Sequence, residues 1–121
     1  MKNGSFMARF GYALAGVRTV WRREKSFRMH CGFALLAIAV AAILQVSLVW
    51  WAIVGLCIAL VLAVEMVNAA LEYLIDRLHP ELHDEIKHAK DAAAGAVLLA
   101  CIGTASVGGL MILGWVLARS P

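Results

Sequence analysis

The sequence predicts an all-α membrane protein, with one amphipathic surface helix followed by three transmembrane helices. Residues 29–64 and 92–118 contain no Asp, Glu, Lys or Arg. Of the 121 residues, 63% are hydrophobic and only 16% are charged, whereas a soluble domain of this length needs more polar surface to cover its core. We therefore interpret residues 1–121 as a single membrane-embedded domain.

The N-terminal segment, about residues 5–25, has the pattern of a helix that lies on a membrane surface. Its arginines are interspersed with apolar residues spaced three and four apart, which are Met7, Phe10, Leu14, Val17 and Trp21. An apolar face beside cationic side chains suits the boundary between lipid headgroups and acyl chains. A plain membrane anchor is the alternative interpretation, but anchoring does not require the carboxylate of Glu24 among these cations.

Three apolar segments are long enough to cross a bilayer. A single helix over residues 29–64 would measure about 54 Å, nearly twice the ~30 Å hydrocarbon core, so the chain must fold back. The expected turn is Gln45-Val46-Ser47. The helix of the second span should end at His79-Pro80, because proline disfavours helical geometry in the residue before it. We expect spans at about residues 28–45, 48–75 and 92–117.

The basic residues predict how these spans are oriented. They cluster before the first span and in the connector at 76–91, and the turn at 45–47 has none. By the positive-inside rule, the N-terminus and the connector are cytoplasmic, while the turn and the C-terminus lie outside. The net charge of +3 therefore reflects topology and anionic lipid, and it does not suggest nucleic-acid binding.

Small residues are frequent in the third span, where the glycines are Gly95, Gly103, Gly108, Gly109 and Gly114. Small residues allow membrane helices to approach closely. Since one surface helix and three spans offer little protein to enclose a polar site, we expect a homo-oligomer.

A polar stripe follows the apolar part of the second span and consists of Glu65, Asn68, Glu72 and Asp76. At about 100° per residue, these four side chains fall within an arc of roughly 80° on one helix face. A charge in the bilayer interior costs roughly 2.5–3.5 kcal/mol on insertion scales, so such residues usually face protein or water and carry a function. Hydrogen bonds that join helices are the alternative role, but three carboxylates on one face repel each other unless cations lie between them.

Further charged residues should converge on this stripe. Lys90 and Asp91, at the start of the third span, are expected level with Glu72, and Glu24 reaches the same level from the surface helix. Converging carboxylates beside a lysine suit Mg²⁺ and the phosphates of a nucleotide. Glu65 lies deeper, where it suits a general base for a hydroxyl group that arrives from the bilayer.

The connector also contains His79 and His83, which are four residues apart. A metal site there is an alternative, but Pro80 lies between them and no third ligand has a matching spacing. A solvated connector is the favoured interpretation.

Three segments, WRREKSFRMH, EMVNAALEYLIDRL and HAKDAAAGAVLLA, together resemble the small integral-membrane prokaryotic diacylglycerol kinase family, which includes the undecaprenol kinases. The resemblance covers nearly the whole chain from about Tyr12. It implies a homotrimer in the bacterial cytoplasmic membrane, with active sites shared between neighbouring subunits at the cytoplasmic face. It also implies transfer of the γ-phosphate of ATP, with Mg²⁺, to a lipid alcohol.

The resemblance implies roles for individual residues. Glu65 matches the general base, and Asn68 would help to place the reacting groups. Glu24 and Glu72 match the residues that hold the metal and the ATP phosphates. The other expected contacts to the nucleotide are Tyr12, Asp76, Glu81, His83, Lys90 and Asp91. The expected contacts to the lipid are Arg28, Met29, His30, Glu65 and Ala94.

The acceptor lipid and the function class each have an alternative. Diacylglycerol-specific members tend to have Gln-Glu where this chain has Met29-His30, and AKDAAAGAVLL looks more like the undecaprenol branch, so undecaprenol is slightly favoured over diacylglycerol. A small transporter or channel subunit would use Glu65 as an ion-coupling carboxylate and would not need the cytoplasmic Lys90-Asp91 pair. A purely structural membrane protein would keep its function after Glu65→Gln.

Overall fold

Four α-helices make up most of the described part of the chain. The computed structural model of the protein describes residues 4–81 and 83–120, and residues 1–3, 82 and 121 of the predicted domain lie outside it. The helices are α1 (Phe6–Arg23), α2 (Lys25–Leu44), α3 (Leu48–Leu78) and α4 (Asp84–Arg119). Helices α2, α3 and α4 are each long and apolar enough to cross a membrane, which confirms the predicted all-helical fold with three such helices.

Glu24 is the single residue between α1 and α2, and its extended backbone separates the two helices. The guanidinium of Arg28 donates hydrogen bonds to the carbonyl oxygens of Trp21 and Arg22, the latter over 3.1 Å. Carbonyls in the last turn of a helix have no partner within the helix, so Arg28 stabilises the end of α1. This junction presents the Glu24 carboxylate beside the end of α3.

The predicted apolar face of α1 is largely exposed in the single chain. Met7 is 75% exposed and Trp21 is 48% exposed. Val20 is the residue of α1 that is buried, and it packs against Phe27 and Ala69. The apolar side chains that the sequence pattern singled out are therefore free to meet another apolar phase.

The turn between α2 and α3 lies at the predicted position. Gln45 adopts a left-handed backbone conformation with φ of 55°. Its N–H donates to the carbonyl of Ala42 over 3.2 Å, and the N–H of Val46 donates to Ala41 over 3.3 Å. These two bonds satisfy the free carbonyls at the end of α2 in a Schellman motif. Helix α3 then starts after Ser47.

Helix α3 ends directly before His79-Pro80, as predicted, but α4 begins earlier than the predicted third span. The Nδ1 atom of His83 accepts a hydrogen bond from the N–H of Glu85 over 3.2 Å and caps the helix. Asp84 and Glu85 in the first turn are favourable because the N-terminus of a helix carries partial positive charge. The polar residues 84–91 thus form the first two turns of α4, and the loop is limited to the few residues around Pro80.

Two buried clusters lie towards opposite ends of the bundle. One contains Val20, Phe27 and Ala69, and the other contains Ala41, Val54 and Met111. Short turns make α2, α3 and α4 successively antiparallel. The start of α2, the end of α3 and the start of α4 therefore meet at the same end, where the polar residues lie.

Candidate active site

Glu65 on α3 is a buried carboxylate held by α2. It is 4% exposed, and among the described residues no other polar side chain is buried to this degree. Its Oε1 atom lies 3.1 Å from Nε2 of His30, and its Oε2 atom accepts a hydrogen bond from the Ser26 hydroxyl over 3.3 Å. Ser26 and His30 are four residues apart and so share one face of α2. Because a buried charge is stable only when it is paired and hydrogen-bonded, these partners explain how Glu65 is accommodated.

An apolar groove begins beside this pair and runs between α2, α3 and α4. Its volume is about 420 Å³, and its lining includes His30, Ala37, Val61, Thr104 and Met111. The groove therefore connects the Glu65 environment with the apolar middle of the bundle.

Asn68 lies nearly one helical turn beyond Glu65 towards the polar end of α3. Its Oδ1 atom is buried and has no hydrogen-bond partner in the described part of the chain. An unpaired buried amide oxygen is costly, and such groups in folded proteins usually have a specific explanation. In this position, Asn68 offers a hydrogen-bond acceptor between the carboxylates of the polar stripe.

Glu24 is tied to α3 by Tyr73. The Tyr73 hydroxyl donates a hydrogen bond to Oε1 of Glu24 over 2.7 Å. The guanidinium of Arg23 lies 4.3 Å from the centre of the Tyr73 ring, which is a cation–π contact. Since Tyr73 directly follows Glu72, the structure brings Glu24 to the turn of α3 that carries Glu72.

An ion pair joins the polar ends of α3 and α4. Nζ of Lys90 lies 2.6 Å from Oδ1 of Asp76, so Lys90 reaches the level of the polar stripe as expected. Lys90 precedes the apolar part of α4, and the hydrogen bond to Asp76 raises its pKa, with a smaller contribution from the charge of Glu72. Asp91 is paired instead with Lys87 on its own helix, at 2.7 Å.

The remaining expected contacts have exposed side chains or local hydrogen-bond partners. Four of them are exposed side chains, which are Tyr12, Met29, Glu81 and Ala94. His83 caps α4, and Arg28 binds the end of α1. Among the residues that the structure describes, no group of three or more His, Cys, Asp or Glu side chains is placed to hold a metal ion.

Sequence reasoning missed three members of this site. Ser26 and Tyr73 hold the carboxylates of Glu65 and Glu24, and Arg23 packs on the Tyr73 ring. The spacing of Ser26 and His30 was a visible signal that both face one side of α2. Their pairing with Glu65 depends on how α2 and α3 pack, which the sequence pattern does not specify.

Comparison with known proteins places the chain in a family. The family model described as "Prokaryotic diacylglycerol kinase" matches residues 11–112. The chain belongs to the prokaryotic diacylglycerol kinase family. Its similarity to this family therefore extends from α1 into the last part of α4.

Named relatives carry two activities. A Synechocystis protein named diacylglycerol kinase is 36% identical over 90% of this chain, and the match spans 63% of that relative. The Escherichia coli diacylglycerol kinase is 36% identical over 76% of this chain and 75% of its own length. The Bacillus subtilis undecaprenol kinase is 31% identical over 89% of this chain and 88% of its own length. Both names thus occur among the relatives in the prokaryotic diacylglycerol kinase family.

Proposed function

We propose that the protein is a lipid kinase that transfers the γ-phosphate of ATP to the hydroxyl group of a membrane lipid, with Glu65 as the general base. Membership of the prokaryotic diacylglycerol kinase family indicates a lipid kinase. The observation that supports the role of Glu65 is its position as a buried carboxylate, held on both oxygens, between an apolar groove and the polar end of α3.

The length of α3 supports a site at the membrane boundary. Its 31 residues would extend about 46 Å, well beyond the ~30 Å hydrocarbon core, which takes about 20 helical residues. Counting from Leu48, the core would end near Asn68. Glu65 then lies just within the core and Glu72 lies just outside it. A lipid hydroxyl would approach Glu65 from the bilayer, and a nucleotide would approach Glu72 from water.

The carboxylates of Glu24 and Glu72 suit Mg²⁺ with ATP. Mg²⁺ prefers one or two carboxylates and completes its coordination with phosphate oxygens and water, so Glu24 and Glu72 would suffice as protein ligands. When bound, Mg²⁺ neutralises charge on the transferring phosphates. Lys90 supplies a cation at the same end of the bundle, and Asp76 keeps its side chain in place.

The assembly and topology are also part of the proposal. We expect a homotrimer with α1 on the cytoplasmic surface and the N-terminus in the cytoplasm. The exposed apolar face of α1 and the clustering of basic residues before α2 support this placement.

Undecaprenol is the acceptor that Met29-His30 favours, and diacylglycerol is the alternative. Purified protein in mixed micelles should transfer label from γ-labelled ATP to one of these two lipids, offered separately, and chelation of Mg²⁺ should abolish the transfer. The relative labelling identifies the acceptor. If a folded oligomer labels neither lipid, the kinase proposal is wrong. Cation flux through liposomes that contain the protein would then test the transporter alternative. The kinase names of the relatives do not favour that alternative.

A further inference from the structure

We propose that His30 is a positioning residue for Glu65, rather than a direct contact to the lipid headgroup. This inference rests on the proposed function, in which Glu65 is the general base. It starts from the 3.1 Å contact between Nε2 of His30 and Oε1 of Glu65, in a place where both side chains are largely enclosed.

The chemistry of His30 and Glu65 determines which of the two side chains carries the hydrogen between them. An ionised carboxylate can only accept hydrogen bonds, so Nε2 of His30 must carry the hydrogen when Glu65 is ready to act as a base. Ser26 donates to the other oxygen. Each carboxylate oxygen has a second lone pair, so Glu65 can still accept a proton while both donors remain in place.

Glu65 and His30 differ in whether they can receive the proton of the lipid hydroxyl. In the reaction, the lipid oxygen forms a bond to the γ-phosphorus of ATP, the bond from that phosphorus to the ADP oxygen breaks, and the lipid hydroxyl proton passes to Glu65. Nε2 of His30 already carries a hydrogen and cannot take this proton. His30 therefore contributes by fixing the direction of the carboxylate.

Packing around the ring restricts other orientations. The His30 side chain is 21% exposed. Sγ of Cys101 on α4 lies 4.0 Å from Nε2, and the Phe33 ring lies 6.4 Å away between ring centres. The nitrogen that faces Glu65 is thus enclosed by α3 and α4, and it is not available to a lipid headgroup in the same geometry.

The test compares the kinetics of three variants with those of the wild type in mixed micelles. His30→Met removes the donor, and His30→Gln keeps an N–H donor. Leu35→Met introduces the same methionine at a position on α2 that is 69% exposed and serves as the matched control. We expect His30→Met to lower kcat by about 10- to 100-fold, because displacing a reacting group by about 1 Å costs about 100-fold. KM values for lipid and ATP should stay within about twofold of wild type. His30→Gln should recover most of kcat, and the control should match the wild type.

A double-variant cycle distinguishes positioning from lipid binding. If His30 acts through Glu65, adding His30→Met to Glu65→Gln should cause no further loss of the residual activity. A raised KM for lipid with unchanged kcat in His30→Met would overturn the proposal, and so would an undiminished effect of His30→Met in the Glu65→Gln background. Should His30→Met not fold, His30→Phe keeps a ring against Phe33 and gives the same test.

Failure of this inference is distinguishable from failure of the proposed function. Wild-type kcat in His30→Met with a large loss in Glu65→Gln refutes the role of His30 alone. Wild-type kcat in Glu65→Gln refutes the general base and, with it, the role of His30.

Discussion

Replacing Tyr73 with phenylalanine tests whether Glu24 is held in position for Mg²⁺. The change removes the hydroxyl that donates to Oε1 of Glu24 over 2.7 Å. It keeps the ring on which the Arg23 guanidinium packs at 4.3 Å. The substitution therefore removes one hydrogen bond and leaves the apolar packing at the junction of α1 and α2 in place.

The expected size of the effect follows from the chemistry of this bond. A hydrogen bond to a charged acceptor contributes about 1.5–3 kcal/mol. Glu24 and Tyr73 are only partly buried, so the lower end of that range applies. Since 1.4 kcal/mol corresponds to a factor of ten, the Mg²⁺ concentration that gives half-maximal activity should rise roughly tenfold. Loss of a hydrogen bond to a metal-binding carboxylate typically weakens metal affinity or activity by about 10- to 100-fold, which is consistent with this value.

The assay is phosphate transfer to lipid over a Mg²⁺ titration at saturating ATP and lipid. Ser106→Ala is the matched control, because it also removes a hydroxyl that donates a hydrogen bond, to the carbonyl of Ile102 on the same helix at 2.8 Å. The control should follow the wild-type curve. An unchanged Mg²⁺ dependence in Tyr73→Phe would refute the argument that Tyr73 holds Glu24 for the metal.

Three further substitutions give distinct expected outcomes. Lys90→Met should leave the free energy of unfolding nearly unchanged, because the pair of Lys90 with Asp76 is exposed. It should raise the KM for ATP, and an unchanged KM would contradict a role in nucleotide binding. Asn68→Leu removes a buried oxygen that has no partner within the described residues, so the melting temperature should stay the same or rise. The same change should lower kcat. Retention of full kcat would contradict the proposed role of Asn68 in placing the reacting groups. Ala34→Phe adds a ring to the wall of the apolar groove and takes up part of its volume. It should raise the KM for lipid and leave the KM for ATP unchanged, and equal effects on both would argue against the groove as the lipid path.

Much of the helical arrangement was predictable from two kinds of local signal. The charge-free stretches predicted the apolar helices, and the breaks at Gln45 and Pro80 lie where polar or helix-breaking residues interrupt them. Helix α4 starts before the predicted third span, because the charged residues 84–91, which were interpreted as a solvated connector, are helical themselves. Asp84 and Glu85 are signals for a helix start that complement the helix dipole.

The site was predictable along one helix and less so between helices. The spacing of Glu65, Asn68 and Glu72 identifies a common face of α3, because the fixed periodicity of an α-helix converts spacing in the sequence into position around the helix axis. The level of Lys90 with Asp76 was also predictable, since both flank the same short connection. By contrast, the contact of His30 with Glu65 joins residues on two packed helices, and its geometry depends on side-chain rotamers and packing that sequence spacing does not contain.

The most direct test of the central claim is a Mg²⁺ titration of γ-phosphate transfer to lipid with wild type, Glu65→Gln and Glu72→Gln side by side, after each is shown to form the wild-type oligomer. The account predicts that Glu65→Gln lowers kcat by about 10²- to 10⁴-fold, the usual contribution of a general base, with little change in the half-saturating Mg²⁺ concentration. It predicts that Glu72→Gln raises that concentration. Wild-type kcat in a folded Glu65→Gln oligomer would contradict the assignment of Glu65 as the base that receives the lipid proton.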